Sequence, residues 1–158
     1  MKQTVYRRPL TASLARVACE QATHSGSDVR GRQAVGDKRW APWLLEADEA
    51  LPLLKAAYDR SIKTWATANV YSNGASEEII AKAVKQYKVS RHKLVILTKC
   101  YGTVREGNDA DTLAPQDIDE TADYINQRGL SRQAIFSAVN ASVKRLETDY
   151  IDLLQIHG

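Results

Sequence analysis

Long apolar stretches are absent from this sequence. No run of about 18 or more apolar residues occurs in its 158 residues, so no transmembrane helix is predicted. The sequence has only two cysteines, Cys19 and Cys100, which form neither a metal-type pair nor a disulfide framework. We therefore expect no membrane partner and no bound metal, and a reducing, intracellular setting.

Acidic residues are scarce near the N-terminus. Residues 1–39 contain eight Lys or Arg against three Asp or Glu, whereas the rest of the chain contains 14 against 16. A nucleic-acid-binding face would have aromatic residues among the basic ones, and this segment has only Tyr6 before Trp40. The charge pattern therefore argues against a nucleic-acid partner.

The basic segment has two interpretations. Residues 1–18 contain four basic residues, several hydroxyl residues and no acidic one, which is compatible with an organellar transit peptide. Residues 20–39 are polar and lack a hydrophobic period, which is typical of a disordered tail. We interpret 1–39 as a basic, poorly ordered segment with a short helix over 10–17. A cytoplasmic location is then the expectation, and a mitochondrial one is the alternative.

The remaining residues, 40–158, predict alternating helices and strands. Apolar residues at helical spacing predict helices over 47–60, 76–87 and 131–146, and short apolar runs predict strands at 62–66, 94–98 and 150–156. We expect Pro52 in the first turn of its helix, and Ser76 and Ser131 as N-caps. The order of elements implies right-handed βαβ units and a parallel sheet.

Two stretches of 40–158 suggest more about this sheet. The run over 94–98 is continuously apolar, which predicts a strand covered on both faces. Residues 101–129 are polar and too long for an ordinary loop. We expect them to form an active-site flap or a disordered excursion, with a short helix near 115–126.

Ionisable residues follow or end the three predicted strands. Tyr71 follows the first, Lys99 ends the second and His157 ends the third. The carboxyl ends of parallel strands meet at one edge, where sites are built. A tyrosine can donate a proton, an ammonium can stabilise its phenolate, and a histidine can orient a carbonyl oxygen. The trio predicts protonation of a carbonyl as hydride reaches its carbon, although a solvated lysine and a structural histidine are the alternatives.

Three stretches resemble a known family. Residues 64–78, TWATANVYSNGASEE, resemble the aldo-keto reductase signature around the catalytic tyrosine. LVILTK at 94–99 and LETDYIDLLQIH at 146–157 resemble the strands that end in the lysine and histidine of this family, in the same order and at the same spacing. The resemblance covers roughly 39–157, in a fungal branch similar to potassium-channel β-subunits.

The resemblance implies a fold and an activity. The fold is a (β/α)8 TIM barrel, of which we expect roughly the first half here, since a complete barrel has about 250 residues. The implied activity is NADPH-dependent reduction of a small-molecule aldehyde or ketone to an alcohol, in the fungal branch often for secondary metabolism. Tyr71 is implied as the proton donor, Lys99 as the group that assists its ionisation, and His157 as the residue that orients the substrate.

The same resemblance bears on the cofactor. The family binds the phosphates and adenine of NADPH mainly through the second half of the barrel, so no cofactor-binding residue is assigned in this sequence. We expect this chain to bind NADPH weakly or not at all. Catalysis by this chain alone is accordingly expected to be weak or absent.

One residue departs from the family pattern and two others have open roles. Ala66 stands where the family has an aspartate that pairs with the lysine. Alanine can neither pair with the Lys99 ammonium nor hold it in place, so we predict impaired proton transfer. Asp152 is interpreted as a structural hydrogen-bonding residue inside a strand. Asn69 is interpreted either as a residue near the substrate or as a turn former.

The start and end of the chain suggest alternatives to an enzyme. The first barrel strand is not recognisable ahead of Trp40, so only three of eight strands are clear. An unpaired strand at 150–156 would invite self-association. The alternative function is a non-catalytic pseudoenzyme or regulatory fragment that binds a full-length homologous reductase through this edge, and a gene fragment is the third interpretation.

Overall fold

The computed structural model describes residues 34–107 and 124–157 and shows regular alternation of helix and strand. β2 lies between β1 and β3 and pairs in parallel with both. The predicted fold class is therefore confirmed as an open, three-stranded part of an α/β barrel. The elements are α1 (Ala47–Asp59), β1 (Thr64–Ala66), α2 (Ala75–Gln86), β2 (Val95–Cys100), α3 (Arg132–Arg145) and β3 (Leu153–Ile156), with 3-10 turns at Tyr71–Gly74 and Arg91–Lys93.

The strands differ in their bounds from the prediction. β1 begins at residue 64 rather than 62, and β3 at 153 rather than 150. β2 extends to Cys100, so Lys99 lies inside the strand, one residue before its end. Asp152 lies immediately before β3 rather than inside it. The residues ahead of β3 are held by a side chain, since the Arg91 guanidinium donates to the Tyr150 carbonyl oxygen at 2.9 Å.

The start of α2 also differs. The helix begins at Ala75, after Gly74 with φ 98°, so Ser76 lies within the first turn and is not the N-cap. The buried Ser76 hydroxyl accepts a hydrogen bond from the Thr67 hydroxyl at 2.9 Å instead. A glycine before the helix can adopt the positive φ that the preceding turn requires, and this moves the helix start one residue towards the N-terminus.

The other two helix starts give opposite results. Pro52 is the sixth residue of α1 and therefore lies in the second turn, not in the first. Its side of the helix is exposed, where water can solvate the carbonyl that lacks a partner. The prediction for α3 is confirmed, because the Ser131 hydroxyl accepts a hydrogen bond from the Ala134 N–H at 3.1 Å.

The hydrophobic core lies between one face of the sheet and the helices. Along β2, residues 96, 98 and 100 are buried, whereas 95, 97 and 99 are more exposed. The predicted cover on both faces is thus wrong within the described residues: one face packs on helices and the other is open. Lys99 belongs to the open face. The buried cluster comprises Leu51, Trp65, Ile80, Ala83, Val89, Leu94, Ile96 and Leu146.

Residues 34–45, here called the N-terminal strap, pack against the body. Val35 forms a bridge with Leu45, and the Asp37 N–H donates to the Ser72 hydroxyl at 3.0 Å. Residues 34–39, which the sequence assigned to the poorly ordered segment, are therefore part of the body, because long-range contacts hold them where no hydrophobic period exists. The predictions for 1–33, and for most of the short helix near 115–126, lie outside the described residues.

Apolar side chains are exposed along β3 and the outer side of α3. Ile156 is 68% exposed, Phe136 53% and Leu153 48%. This is the edge for which the sequence predicts self-association, and that expectation stays a prediction. Within 34–107 and 124–157, no helix is both long and apolar enough to cross a membrane.

Candidate active site

Three side chains form a contiguous group at the carboxyl edge of the sheet. The Lys99 ammonium donates a hydrogen bond to the Tyr71 hydroxyl oxygen at 3.0 Å and lies 4.5 Å from the centroid of the same ring. The Tyr71 and His157 rings have centroids 5.5 Å apart and an interplanar angle of 83°. The structure thus brings together all three residues that the sequence selected.

The sheet itself sets this spacing. The ladder between β1 and β2 continues beyond β1, because the Asn69 N–H donates to the Lys99 carbonyl oxygen at 3.2 Å. On the other side, the His157 N–H donates to the Cys100 carbonyl oxygen at 3.0 Å, one residue beyond β3. Lys99 on the central strand is therefore flanked by chain segments fixed to it by backbone hydrogen bonds.

The turn after β1 gives Tyr71 its position at a local cost. Ser72 and Asn73 adopt left-handed backbone angles, with φ 48° and 53°, and Gly74 follows with φ 98°. Such angles in non-glycine residues cost about 1–3 kcal/mol each and persist only where surrounding contacts hold them. The residue pattern predicts this turn, but it does not predict the strain or the contacts that offset it.

A backbone oxygen holds the Lys99 ammonium. The Thr67 carbonyl accepts a hydrogen bond from Lys99 Nζ at 3.0 Å. Among the residues that the structure describes, no carboxylate forms an ion pair with Lys99. The expectation that nothing holds the ammonium is therefore wrong as to position. A neutral carbonyl nevertheless adds no negative charge, so impaired proton transfer stays a prediction.

The Ala66 methyl group lies close to this arrangement. Ala66 is in register with Leu97, two residues before Lys99 on the open face of β2. A longer acidic side chain at position 66 would extend from the same face as the Lys99 side chain. The position is thus suited to an ion pair that the present residue cannot form.

His157 is held in its neutral form. Burial lowers the pKa of the imidazole below its ordinary value, and the nearby Lys99 charge lowers it further. Near neutral pH the ring therefore has one N–H donor and one nitrogen acceptor. A neutral imidazole next to Tyr71 can donate a hydrogen bond to a carbonyl oxygen without competing as a strong acid.

We expect an NMR titration to show this depressed pKa directly. The His157 midpoint should lie below about 6.5, the ordinary value, and Lys99→Met should raise it while leaving it below that value, because burial is the larger cause. The variant His157→Gln identifies the signals among the three histidines. A midpoint at or above the ordinary value, or one that Lys99→Met does not move, would contradict this account.

The same shift predicts how stability depends on pH. The unfolded chain binds the proton more tightly than the folded one, so the contribution of His157 is fully present above pH of about 6.5. It is lost as the pH falls through the lower folded-state pKa. Urea unfolding of the wild type and of His157→Gln at several pH values should show this loss in the wild type alone.

Asp152 lies at the opposite end of the strands from the group of three. Its carboxylate accepts hydrogen bonds from the Ile96 N–H at 2.8 Å and from the Arg91 guanidinium at 2.6 Å. Burial by itself would raise the pKa of this carboxyl, but the bonds from Ile96 and Arg91 outweigh burial and hold the pKa below its usual value. These contacts support the structural interpretation of Asp152.

Asn69 joins the turn to the segment after β2. The side chain is 2% exposed, and its Nδ2 donates to the Gly102 carbonyl oxygen at 3.0 Å. Its Oδ1 has no hydrogen-bond partner and borders a cavity of about 280 Å³ next to α3. These contacts favour the turn-forming interpretation over a place among Tyr71, Lys99 and His157.

A buried ion pair behind the site was not predicted. Glu77 is fully buried, where it accepts hydrogen bonds from the Thr98 hydroxyl at 2.5 Å and from the Arg145 guanidinium at 2.7 Å. The sequence predicts Glu77 only as an acidic residue in the first turn of α2. Its neighbour Glu78 has the same side chain and is exposed, so residue type alone does not distinguish them.

Comparison with known proteins adds to this geometry. The model of the aldo/keto reductase family matches residues 31–158. The aldo-keto reductase dtxS3 of Metarhizium robertsii is 51% identical over 143 residues, which cover 85% of this chain and 39% of the relative. The versiconal hemiacetal acetate reductase of Aspergillus parasiticus is 48% identical over 130 residues, which cover 82% of this chain and 37% of the relative.

A solved structure shows the same relation. The thermostable aldo-keto reductase Tm1743, crystallised with the inhibitor epalrestat, has a TM-score of 0.50 and 28% identity, over 70% of this chain and 31% of that one. The chain thus spans about a third to two fifths of the length of the curated relatives named above. Because the family model matches most of the sequence, the chain belongs to the aldo/keto reductase family.

Proposed function

We propose that this chain carries the proton-donating part of an NADPH-dependent reductase that converts an aldehyde or ketone to an alcohol. The 3.0 Å contact between Lys99 Nζ and the Tyr71 hydroxyl carries the proposal. As Tyr71 gives its proton to a carbonyl oxygen, negative charge develops on the phenolic oxygen. The ammonium already donates a hydrogen bond to that oxygen and therefore stabilises the charge.

His157 supplies orientation in this proposal. Its ring meets the Tyr71 ring edge to face, and burial together with Lys99 keeps it neutral. An N–H of the neutral imidazole can donate to the same carbonyl oxygen that receives the Tyr71 proton. Two donors that converge on one oxygen fix the direction of the carbonyl and stabilise the charge that builds on it.

The hydride must come from another molecule. Tyr71, Lys99 and His157 can hold or move protons, but none of these side chains is a two-electron donor. NADPH, when bound, supplies the hydride to the carbonyl carbon, and this division of labour fits the donor set of the site. Cofactor-binding residues stay unassigned within the described ranges.

The relatives suggest a substrate class. One of them is named for the reduction of versiconal hemiacetal acetate. A hemiacetal is in equilibrium with its open carbonyl form, which is the group that Tyr71 and His157 are suited to polarise. We therefore propose a carbonyl or hemiacetal of fungal secondary metabolism as the substrate.

Restoring an acidic side chain at position 66 tests the proposal. We expect Ala66→Asp to raise kcat by about tenfold, equivalent to about 1.4 kcal/mol of transition-state stabilisation. The new carboxylate would pair with Lys99 from the same face of the sheet and keep the ammonium charged beside Tyr71. The measurement is NADPH consumption by the full chain with an aryl aldehyde.

The matched control for this experiment is Ala66→Asn. It has the same size as aspartate without the charge, and its turnover should stay near that of the wild type. An equal gain in both variants would show that shape rather than charge is responsible. Absence of any turnover in the wild type and in Ala66→Asp would contradict the proposed function.

A further inference from the structure

The Asn73 side chain is bonded to a single segment, the one that follows β2. Its Nδ2 donates to the carbonyl oxygens of Arg105 and Gly107, each at 3.1 Å. Its Oδ1 accepts from the Arg105 N–H at 2.7 Å. One side chain thus holds residues 105–107 with three hydrogen bonds, across a separation of 32 to 34 residues. We call this set of bonds the Asn73 clamp.

Asn73 also belongs to the strained turn that carries Tyr71. Ser72 and Asn73 have φ 48° and 53°, a region that side-chain-bearing residues rarely adopt, although asparagine tolerates it better than most. Such a turn relaxes unless contacts hold it. The Asn73 clamp holds it from the side of β2, and the bond between Ser72 and Asp37 of the N-terminal strap holds it from the other side.

Two further contacts join the same pair of segments. The Asn69 side chain donates to the Gly102 carbonyl oxygen at 3.0 Å. A Cβ at Gly102 would lie 2.9 Å from Val70 Cγ1, so the absence of a side chain there permits this close approach. Tyr71 therefore lies between two anchoring residues, Asn69 and Asn73, and both are fixed to the segment that leaves β2.

We propose that Asn73 is a positioning residue for Tyr71. The Asn73 clamp ties the turn to the segment that continues from β2, and β2 carries Lys99. Because the clamp lies two residues beyond Tyr71, it prevents the turn from rotating away and keeps the Tyr71 hydroxyl 3.0 Å from the Lys99 ammonium. Its consequence for turnover rests on the proposed function, whereas its consequence for geometry does not.

A merely structural role is the alternative, and the structure separates the two. Asn73 is half-buried and lies outside the buried hydrophobic cluster. Glycine adopts positive φ without steric cost, so Asn73→Gly keeps the backbone of the turn and removes only the clamp. We therefore expect the melting temperature of this variant to stay close to that of the wild type while the Tyr71 ring moves.

The position of the Tyr71 ring can be read from His157. The two rings lie edge to face with centroids 5.5 Å apart, so the NMR signals of the His157 imidazole protons depend on where the Tyr71 ring lies. Tyr71→Ala gives the signal positions without the ring. In the full chain, Asn73→Gly should move the His157 signals towards those positions.

Two further variants identify the cause. Asn73→Asp keeps the acceptor for the Arg105 N–H but loses both donated bonds, so it should give an intermediate shift. It also keeps the test decisive should the glycine variant fail to fold. Ser72→Gly lies in the same turn and removes only the contact with the N-terminal strap, so its His157 signals should stay at the wild-type positions.

Steady-state kinetics supply the second measurement. In Asn73→Gly, kcat should fall by roughly 10- to 100-fold, as expected when a reacting group is displaced by about 1 Å. KM should change much less, because the clamp acts on the proton donor. Asn73→Asp should recover part of the lost kcat.

The outcomes distinguish the two proposals. Unchanged His157 signals in Asn73→Gly would overturn the positioning role, whatever the turnover. Equal signal shifts in Ser72→Gly would also overturn it, since general loosening of the turn would then be the cause. Shifted signals confined to the Asn73 variants, with no turnover even in the wild type, would support the positioning role and contradict the proposed function.

Discussion

Tyr71→Phe is expected to lower the rate of carbonyl reduction by roughly 10²- to 10⁴-fold, the usual contribution of a positioned general acid. Phenylalanine keeps the ring that meets His157 edge to face and removes only the hydroxyl that Lys99 contacts. The substrate would then lose its proton donor, while the surrounding packing stays the same. The measurement is kcat from NADPH consumption by the full chain at saturating aldehyde.

The control for this variant is a second tyrosine near the same edge of the sheet. Tyr101 directly follows β2 and is 38% exposed, with its ring near the Arg128 guanidinium. Tyr101→Phe removes an equivalent hydroxyl and should leave kcat within about twofold of the wild type, as for a surface change remote from the chemistry. Equal rates for Tyr71→Phe and Tyr101→Phe would show that another group donates the proton.

The sequence predicts the site well because sheet topology places it. Tyr71, Lys99 and His157 each follow or end a strand, and parallel strands present their carboxyl ends at one edge. Once alternating strands and helices are recognised, the three residues must converge there without any knowledge of their contacts. The ladder bonds beyond β1 and β3 show why the convergence is close.

Contacts between distant segments were beyond prediction. Asn73 bonds to residues 32 to 34 positions away, and Arg145 bonds to Glu77 across 68 positions. No hydrophobic period marks such pairs, since each depends on two segments that meet only after folding. The Thr67 carbonyl that holds Lys99 is a backbone atom and has no residue-type signal at all.

The hydrophobic pattern failed where it was taken to report on both faces of a strand. The continuous apolar run over 94–98 predicts burial on each side, yet Val95 is 43% exposed. Its partner across β1 is Thr64. The open face of the sheet is the face that carries Lys99, so apolar residues there surround the site rather than contribute to the core.

The buried ion pair behind the site carries the largest predicted effect on stability. Glu77 is fully buried, whereas the Arg145 side chain is 16% exposed. Arg145→Met would leave a buried carboxylate without its cation, which is expected to lower the free energy of unfolding by about 3–5 kcal/mol. Urea unfolding of the full chain, followed by circular dichroism, measures the change.

Burial determines which member of this pair is the more costly to replace. Glu77→Gln leaves Arg145 without a charged partner, but the guanidinium still reaches water and the new amide oxygen can still accept from the Thr98 hydroxyl. We therefore expect Glu77→Gln to destabilise less than Arg145→Met. The double variant should be more stable than Arg145→Met alone, because no unpaired charge is then buried.

An exposed ion pair provides the control for both. Lys85 and Glu147 are 3.1 Å apart with side chains 76% and 58% exposed, so Lys85→Met should cost less than about 1 kcal/mol. Arg145 also lies where a Cβ at Gly74 would be, at 2.6 Å from its Cδ, and so it packs against the start of α2 just beyond the Tyr71 turn. If Arg145→Met costs no more than Lys85→Met, the carboxylate of Glu77 must be solvated or protonated in the folded chain. The ion pair would then not anchor α2 behind the site.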